Sequence, residues 1–547
     1  MKLFVGIFVE RLLLFVSFFQ KQTMFQFSFR VFFLSLFCFS LLSNAVSVRS
    51  AAELIDLFKT ASGKTLNVPI DILADIDFSQ SGLILPLGAN SKGTCVAFSG
   101  VLHGKGHAIK GLVMDNRQSN EYDRAGLFCS LKGASVDNLI FDSSCSFNGQ
   151  YAGALSPFVV GSASVINVTN KAAVSGYEGV GGFIGRIQDA DKGSTFSFDG
   201  CTNLGTVKGD GYAGGFIGRI SETTNVRIVI SNSVNSGNIV AKLYGSGGFI
   251  SYLYTNTNIA VTLSKCINNG RIEGDNEIGG LVGYFGSDLA MTSTMTLEDC
   301  TNNGPITGNG LVGGFVGKVF DGINLDISRG TNNGAVSGGK YGYIGGFIGY
   351  IDVLTTVKIS SSTNNADITC EGSNVAGFVG YSSAYSYFNI SLVLLNCENK
   401  GSVSAMKSMA CGLGCVSDVW YDSMENVVVN SINKGSVSAP EGSFGITNMI
   451  TRAISVVSMG KMSGSSSIYS FWKKSSNVDS FYGLKETCVN CESATTLFKF
   501  NSLRHTYEVI WNGKRVHDLL NIVSQREHYG MLWTSDLDLF EAKAPSF

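Results

Sequence analysis

The pentapeptide Gly181-Gly182-Phe183-Ile184-Gly185 returns, with small changes, along most of the chain. It recurs as Gly214-Gly215-Phe216-Ile217-Gly218, Gly247-Gly248-Phe249-Ile250, Gly279-Gly280-Leu281-Val282-Gly283, Gly313-Gly314-Phe315-Val316-Gly317 and Gly345-Gly346-Phe347-Ile348-Gly349. Weaker copies stand at Ala376-Gly377-Phe378, Cys411-Gly412-Leu413, Ala125-Gly126-Leu127 and Ala152-Gly153-Ala154. Between Leu127 and Leu413 the central residue recurs every 27 to 35 residues. A period of this size marks a solenoid or repeat array, in which each unit packs only on its neighbours. Length therefore does not translate into a count of globular domains.

A second signature lies between the glycine motifs: Cys201-Thr202-Asn203-Leu204-Gly205-Thr206-Val207-Lys208-Gly209, Cys266-Ile267-Asn268-Asn269-Gly270 and Cys300-Thr301-Asn302-Asn303-Gly304. It aligns an Asn at one phase in successive units: Asn170, Asn203, Asn235, Asn268, Asn302, Asn332, Asn364, Asn399 and Asn433. Each unit divides into three extended pieces: the glycine motif with its apolar tail, an alternating run such as Ser194 to Phe198, and the short Gly-x-Val-x-Gly. The expected fold is all-β: a parallel β-solenoid, right-handed, with three short strands per coil of roughly 33 residues. Stacked amides about 4.8 Å apart can hydrogen-bond along the axis, and Asn tolerates a left-handed corner. The Gly pair is expected to serve a sharp corner in the same way. Ten or so coils from Cys95 to Pro440 would extend on the order of 50 Å at that spacing.

The repeat, with its intervening Asn-x-Gly-x-Val-x-Gly, resembles the GLUG repeat of secreted and cell-surface proteins over about residues 125 to 435. The resemblance implies a β-solenoid on an extracellular, adhesin-like protein and carries no catalytic residues with it. Phe98 to Ile109 also resembles the opening of right-handed parallel β-helix proteins. The chain departs from the repeat at Ala154, at Cys411 to Cys415 and beyond Pro440.

The flanks read differently. Residues 1–45 hold two apolar runs; Arg30, the run from Val31 to Leu42 and Ser43-Asn44-Ala45 read as a secretory signal, with Met24 as a candidate start. A retained membrane anchor is the alternative. Residues 46–124 read as an N-terminal cap and first coils, with Ala51 to Thr60 as an amphipathic capping helix. Residues 125–440 form the repeats, and 441–547 a decaying last coil with a C-terminal cap or small appended domain.

With 15% charged residues and a formal charge of −2, nothing favours nucleic acid as a partner. No cofactor or metal motif is present. The remaining partners are extracellular glycans or proteins, met by the coil faces. Tyr212, Tyr244, Tyr341 and Tyr343, just before glycine motifs, form either an outward stripe or loop packing. Asn167 and Asn389 head glycosylation sequons. Cys488 and Cys491 suit a disulfide better than a zinc half-site. Cys201, Cys266, Cys300 and Cys397 share one phase and read as a ladder of small buried thiols, although Cys266 and Cys300 are within one coil of pairing. His103 and His107 sit around Gly104 and Gly106, which argues for a turn over a metal pair.

An enzyme reading needs paired carboxylates. The candidates Asp189, Asp191, Asp210, Asp275, Glu277, Asp288, Glu298 and Asp299 scatter over turns, and Arg186 and Arg219 lie one coil apart. The expectation is a secreted or surface-exposed non-catalytic binding or structural protein. A β-helix carbohydrate-active enzyme and a membrane-anchored antigen are the alternatives.

Overall fold

The computed structural model describes residues 45–61, 65–90, 94–117, 123–255, 258–287, 293–372, 374–383, 390–416, 424–454, 456–458, 461–464, 468–478 and 481–483. The proposed signal, Asn389, Asp288, Cys488 and Cys491 lie outside these residues.

The chain folds as a parallel β-solenoid. One coil shows the plan: strands Ile184–Ile187, Thr195–Asp199 and Val207–Gly209 are the three expected pieces. Two further strands of two residues, Thr202–Asn203 and Ala213–Gly214, lie at the corners between them. Each strand pairs in register with its equivalent one coil away. Ile184 meets Ile217, then Ile250, Val282, Val316, Ile348 and Val379. The Asn-bearing strands belong to a separate 14-stranded sheet, the other columns join in a 44-stranded sheet, and Thr65–Leu66 pairs with Ala97–Phe98 apart from both. Pairing continues beyond Pro440, where the single strand Gly442–Ile454 spans what shorter strands cover in earlier coils.

Phe183, Phe216 and Phe249 point inward and stack at centroid separations of 4.9 and 4.7 Å. Leu281 interrupts the rings, and Phe315, Phe347 and Phe378 resume them at 4.5 and 4.6 Å. All are fully buried. The helix Ala51–Thr60 caps this column from the N-terminal side: Ser50 Oγ accepts from Glu53 N. Its Phe58 packs on Phe98 and Phe128. Leu54 and Phe58 are buried, whereas Ile55 and Leu57 are only half-buried.

Every Asn of the ladder is fully buried. Each Nδ2 donates to the next Oδ1, from Asn170 to Asn203 at 2.9 Å through Asn399 to Asn433 at 2.7 Å. In most of them Nδ2 also donates to the carbonyl two residues on, as from Asn268 to Gly270. These asparagines do not make the left-handed corner that was expected of them. That corner lies three residues earlier, at Asn167, Gly200, Asn232, Lys265, Asp299, Arg329, Ser361, Asn396 and Asn430, all at positive φ. Buried amide bonding selects Asn at the ladder, while the corner, exposed or half-buried everywhere but at Asn430, accepts several residue types.

The Gly pair is likewise not left-handed. Close backbone approach demands it: a Cβ on Gly181 would lie 1.9 Å from Ile184 O, and one on Gly182 would lie 2.1 Å from Gly215 O and 2.8 Å from Asn203 Oδ1. Where the motif departs, Cys411 and Cys415 replace the opening and closing glycines and are joined by a disulfide. The tight turn that excludes side chains elsewhere brings these two Cα atoms to 5.6 Å.

Candidate functional site

The closing glycine of each motif positions an outward row. A Cβ on Gly218 would lie 2.3 Å from Val180 N, and one on Gly317 would lie 2.5 Å from Ile278 N. The segment before the motif of one coil therefore lies flat against the closing glycine of the next coil. The residue immediately after the closing position points outward beside that segment. One coil after another, in register, these residues are Phe158, Arg186, Arg219, Tyr252, Tyr284, Lys318, Tyr350 and Tyr381. Sequence reasoning missed the four tyrosines of this row, although their place directly after the motif was a usable signal.

The preceding segments add a flank. Tyr212 stacks on Tyr244 and Tyr252 at 5.1 and 4.5 Å. Tyr343 stacks on Tyr350 and Tyr381 at 5.5 and 4.4 Å. Tyr341 stands apart, 73% exposed, with Lys340 Nζ 5.0 Å from its ring centroid. Of the four tyrosines named from the sequence, three thus join the row and one does not.

Cations are held within the row. Lys318 Nζ lies 5.6 Å from the ring centroids of both Tyr284 and Tyr350, 4.5 Å from that of Phe320 and 3.9 Å from Asp352. Arg219 sits over Tyr212 and Tyr252 and pairs with Glu178 at 3.9 Å. Arg186 is 8% exposed. Its Nε donates to Ser221 Oγ, Nη1 to Tyr151 Oη and Nη2 to Glu222, at 3.0, 3.1 and 3.0 Å. Tyr151 in turn donates to Glu178. Burial, reinforced by that hydrogen bond, raises the Tyr151 phenol above its ordinary value. Glu277 and Asp352 also rise through burial, opposed by Lys318.

The other sequence candidates do not converge. His103 meets Asp137 at 2.7 Å and His107 meets Asp75 at 3.4 Å, around the turn at Lys105 and Gly106. Asp191 pairs with Lys132, Asp210 with Lys242 and Arg117, and Glu298 and Asp299 with Arg329. Asp275 accepts from Asn309, and Asp189 occupies a left-handed turn. Among the described residues no group of three His, Cys, Asp or Glu could hold a metal ion, and no helix is long and apolar enough to cross a membrane.

Cys201, Cys266, Cys300 and Cys397 are buried free thiols. Burial pushes Cys201 up to about 11 and Cys397 to about 12. The two disulfides of the described residues, Cys95–Cys129 and Cys411–Cys415, were not foreseen as pairs. Asn167 is exposed at its left-handed corner, with Nδ2 3.4 Å from Asn138 Oδ1.

The solenoid is the class these features define. No family model matches the chain, and no curated protein matches it. Three chains among solved structures do. One is described as a "putative immunoglobulin A1 protease from Bacteroides ovatus": 16% identity, TM-score 0.40, covering 52% of this chain and 84% of that one. Another, described as "IgA1 Protease", has 13% identity and a TM-score of 0.26, covering 78% of this chain and 24% of that one.

Proposed function

We propose that the chain is a secreted or cell-surface GLUG-type solenoid that binds an extended partner without catalysis, along the row from Phe158 to Tyr381. The observation that carries this reading is the in-register outward row itself, in which aromatic and cationic side chains succeed one another at every coil. Solenoid curvature and repetition create extended binding surfaces of this kind. The two disulfides and the accessible sequon at Asn167 support an oxidising, extracellular setting.

A carbohydrate-active enzyme is the second reading, favoured by the cluster of Tyr151, Glu178, Arg186, Arg219 and Glu222. Against it, Arg186 is engaged by three partners, and the Tyr151 phenol is raised, away from the neutral range a general base needs. A glycan array with the purified chain, scored for retention and for cleavage products, separates the two. Retention of intact glycan supports the binding reading. Cleavage products that vanish in Glu222→Gln would replace it with the enzyme.

A further inference from the structure

Each cation of the outward row stands beside a carboxylate. Lys318 is enclosed by Tyr284, Phe320 and Tyr350 and paired with Asp352. Arg186 is bound by Glu222, Tyr151 and Ser221. Arg219 faces Glu178 at 3.9 Å between two tyrosine rings, its Nε buried without a hydrogen-bond partner. With Arg124, which lies over the Phe158 ring at 4.4 Å and beside Asp123, four cations thus share the face with the five carboxylates of Asp123, Glu178, Glu222, Glu277 and Asp352. An anionic ligand would have to strip a cation from its partners and then lie beside those carboxylates. Polyanion binding depends on Lys and Arg free of neighbouring carboxylates, and each cation named here has a carboxylate within 3.9 Å.

The rings are committed as well. Tyr252 and Tyr284 stack at 4.7 Å with 11° between planes, and Tyr343 and Tyr381 at 4.4 Å with 10°. Each pair turns one flat face of each ring onto the other; Tyr252, Tyr343 and Tyr381 are half-buried and Tyr284 is buried. A stack of this kind is not in itself a pocket for the buried anchors that dominate protein–protein contacts. It offers polar edges and carboxylate oxygens, repeated about every 4.8 Å along the axis. A surface that repeats in one dimension is matched by a ligand that repeats in one dimension.

Resting on the binding reading above, we infer that the ligand of this face is a linear, uncharged, polyhydroxylated polymer — a neutral polysaccharide — lying along the solenoid axis. Its hydroxyls would hydrogen-bond to tyrosine edges and to the row's carboxylates, and no charge would be transferred to the complex.

The test is titration calorimetry of the full chain with a soluble neutral glucan and a galactomannan, against polygalacturonate and heparin, at 50 mM and 300 mM salt. Tyr252→Phe and Tyr381→Phe keep the ring stacks and remove only hydroxyls, so circular dichroism should not change. The expected result is neutral-polymer binding that changes less than about twofold with salt, as uncharged contacts should, and weakens about tenfold in the double variant. Preference for an acidic polymer, falling steeply with salt and lost in the double variant, would overturn this inference while leaving the binding reading intact. Neutral binding indifferent to the double variant would overturn the assignment to this face. Binding of none of the four polymers would overturn this inference and leave the binding reading to an extended protein partner.

Discussion

Asn268→Ala should unfasten the solenoid at its middle. Asn268 is fully buried and makes three bonds: its Nδ2 donates to Asn302 Oδ1 at 2.8 Å and to Gly270 O at 3.0 Å, and its Oδ1 accepts from Asn235 Nδ2 at 2.8 Å. Alanine removes all three. Asn235 keeps its bond to Gly237 O, but Asn302 Oδ1 and Gly270 O lose their donor inside the fold. A stranded buried acceptor costs about 1–3 kcal/mol, so the loss is about 2–6 kcal/mol before any cavity term. Asn269→Ala, one residue on, is the control. That side chain is exposed and bonds only to Ser236 and Asn303, so its removal should stay within about 0.5 kcal/mol. Because repeats exchange stability mainly with their neighbours, the loss should be concentrated locally. Amide hydrogen exchange should therefore accelerate in the coils around Ile267–Asn268 and less at distant ones. Urea denaturation should shift in the same direction. A loss below about 1 kcal/mol, with exchange at Ile267 to Gly270 unaltered, would refute the view that the amide ladder holds the coils together.

Three further outcomes are expected. Reducing Cys95–Cys129, which closes a loop of 34 residues, should destabilise the N-terminal coils by about 4 kcal/mol on the chain-entropy model, measured by thermal melting of Cys95→Ser. Glu277 is raised above its ordinary 4.5 by burial, so its stabilising contribution is full below that value and lost as pH rises through the raised one. Glu277→Gln should therefore be more stable than the parent at neutral pH and flatten the stability profile above 4.5; an unchanged profile refutes this. Phe347→Ala, at the centre of three stacked rings, should cost about 3–5 kcal/mol in urea unfolding.

The fold was legible because a solenoid writes its geometry into a period, and the glycine motif marks the one turn too tight for side chains. What remained hidden turns on orientation. Cys95 and Cys129 are 34 residues apart, and so are Cys266 and Cys300, yet only the first pair is bonded. Cys266 and Cys300 head equivalent corners and run parallel into the core. Cys95 lies in an irregular segment that doubles back on Ala89, which lets its sulfur approach Cys129 obliquely. Spacing alone does not contain that difference. The outward row was half legible: its phase is fixed by the closing glycine, but its identity changes from Arg to Tyr to Lys, so no single residue type repeats. Glu222 and Ser221, which hold Arg186, lie in a connection whose length varies from coil to coil and could not be aligned.

The same stacking explains why so little of this chain is charged. Any outward position is repeated about 4.8 Å away in the next coil, so two like charges at one phase repel by about 3 kcal/mol at an effective dielectric near 20. Arg186 and Arg219 occupy adjacent coils at one phase, and Glu222 and Glu178 stand against them. Lys318 has neutral tyrosines on both sides along the row, Tyr284 before it and Tyr350 after it. A column of unopposed cations would be destabilised at every step, whereas a column of tyrosines gains a ring contact at every step. A solenoid that must keep one long face both stable and polar is therefore driven toward hydroxyl-bearing rings with internally neutralised ions. That is the surface from Arg186 to Tyr381, and its lack of unopposed cations follows from the stacking before any ligand is considered.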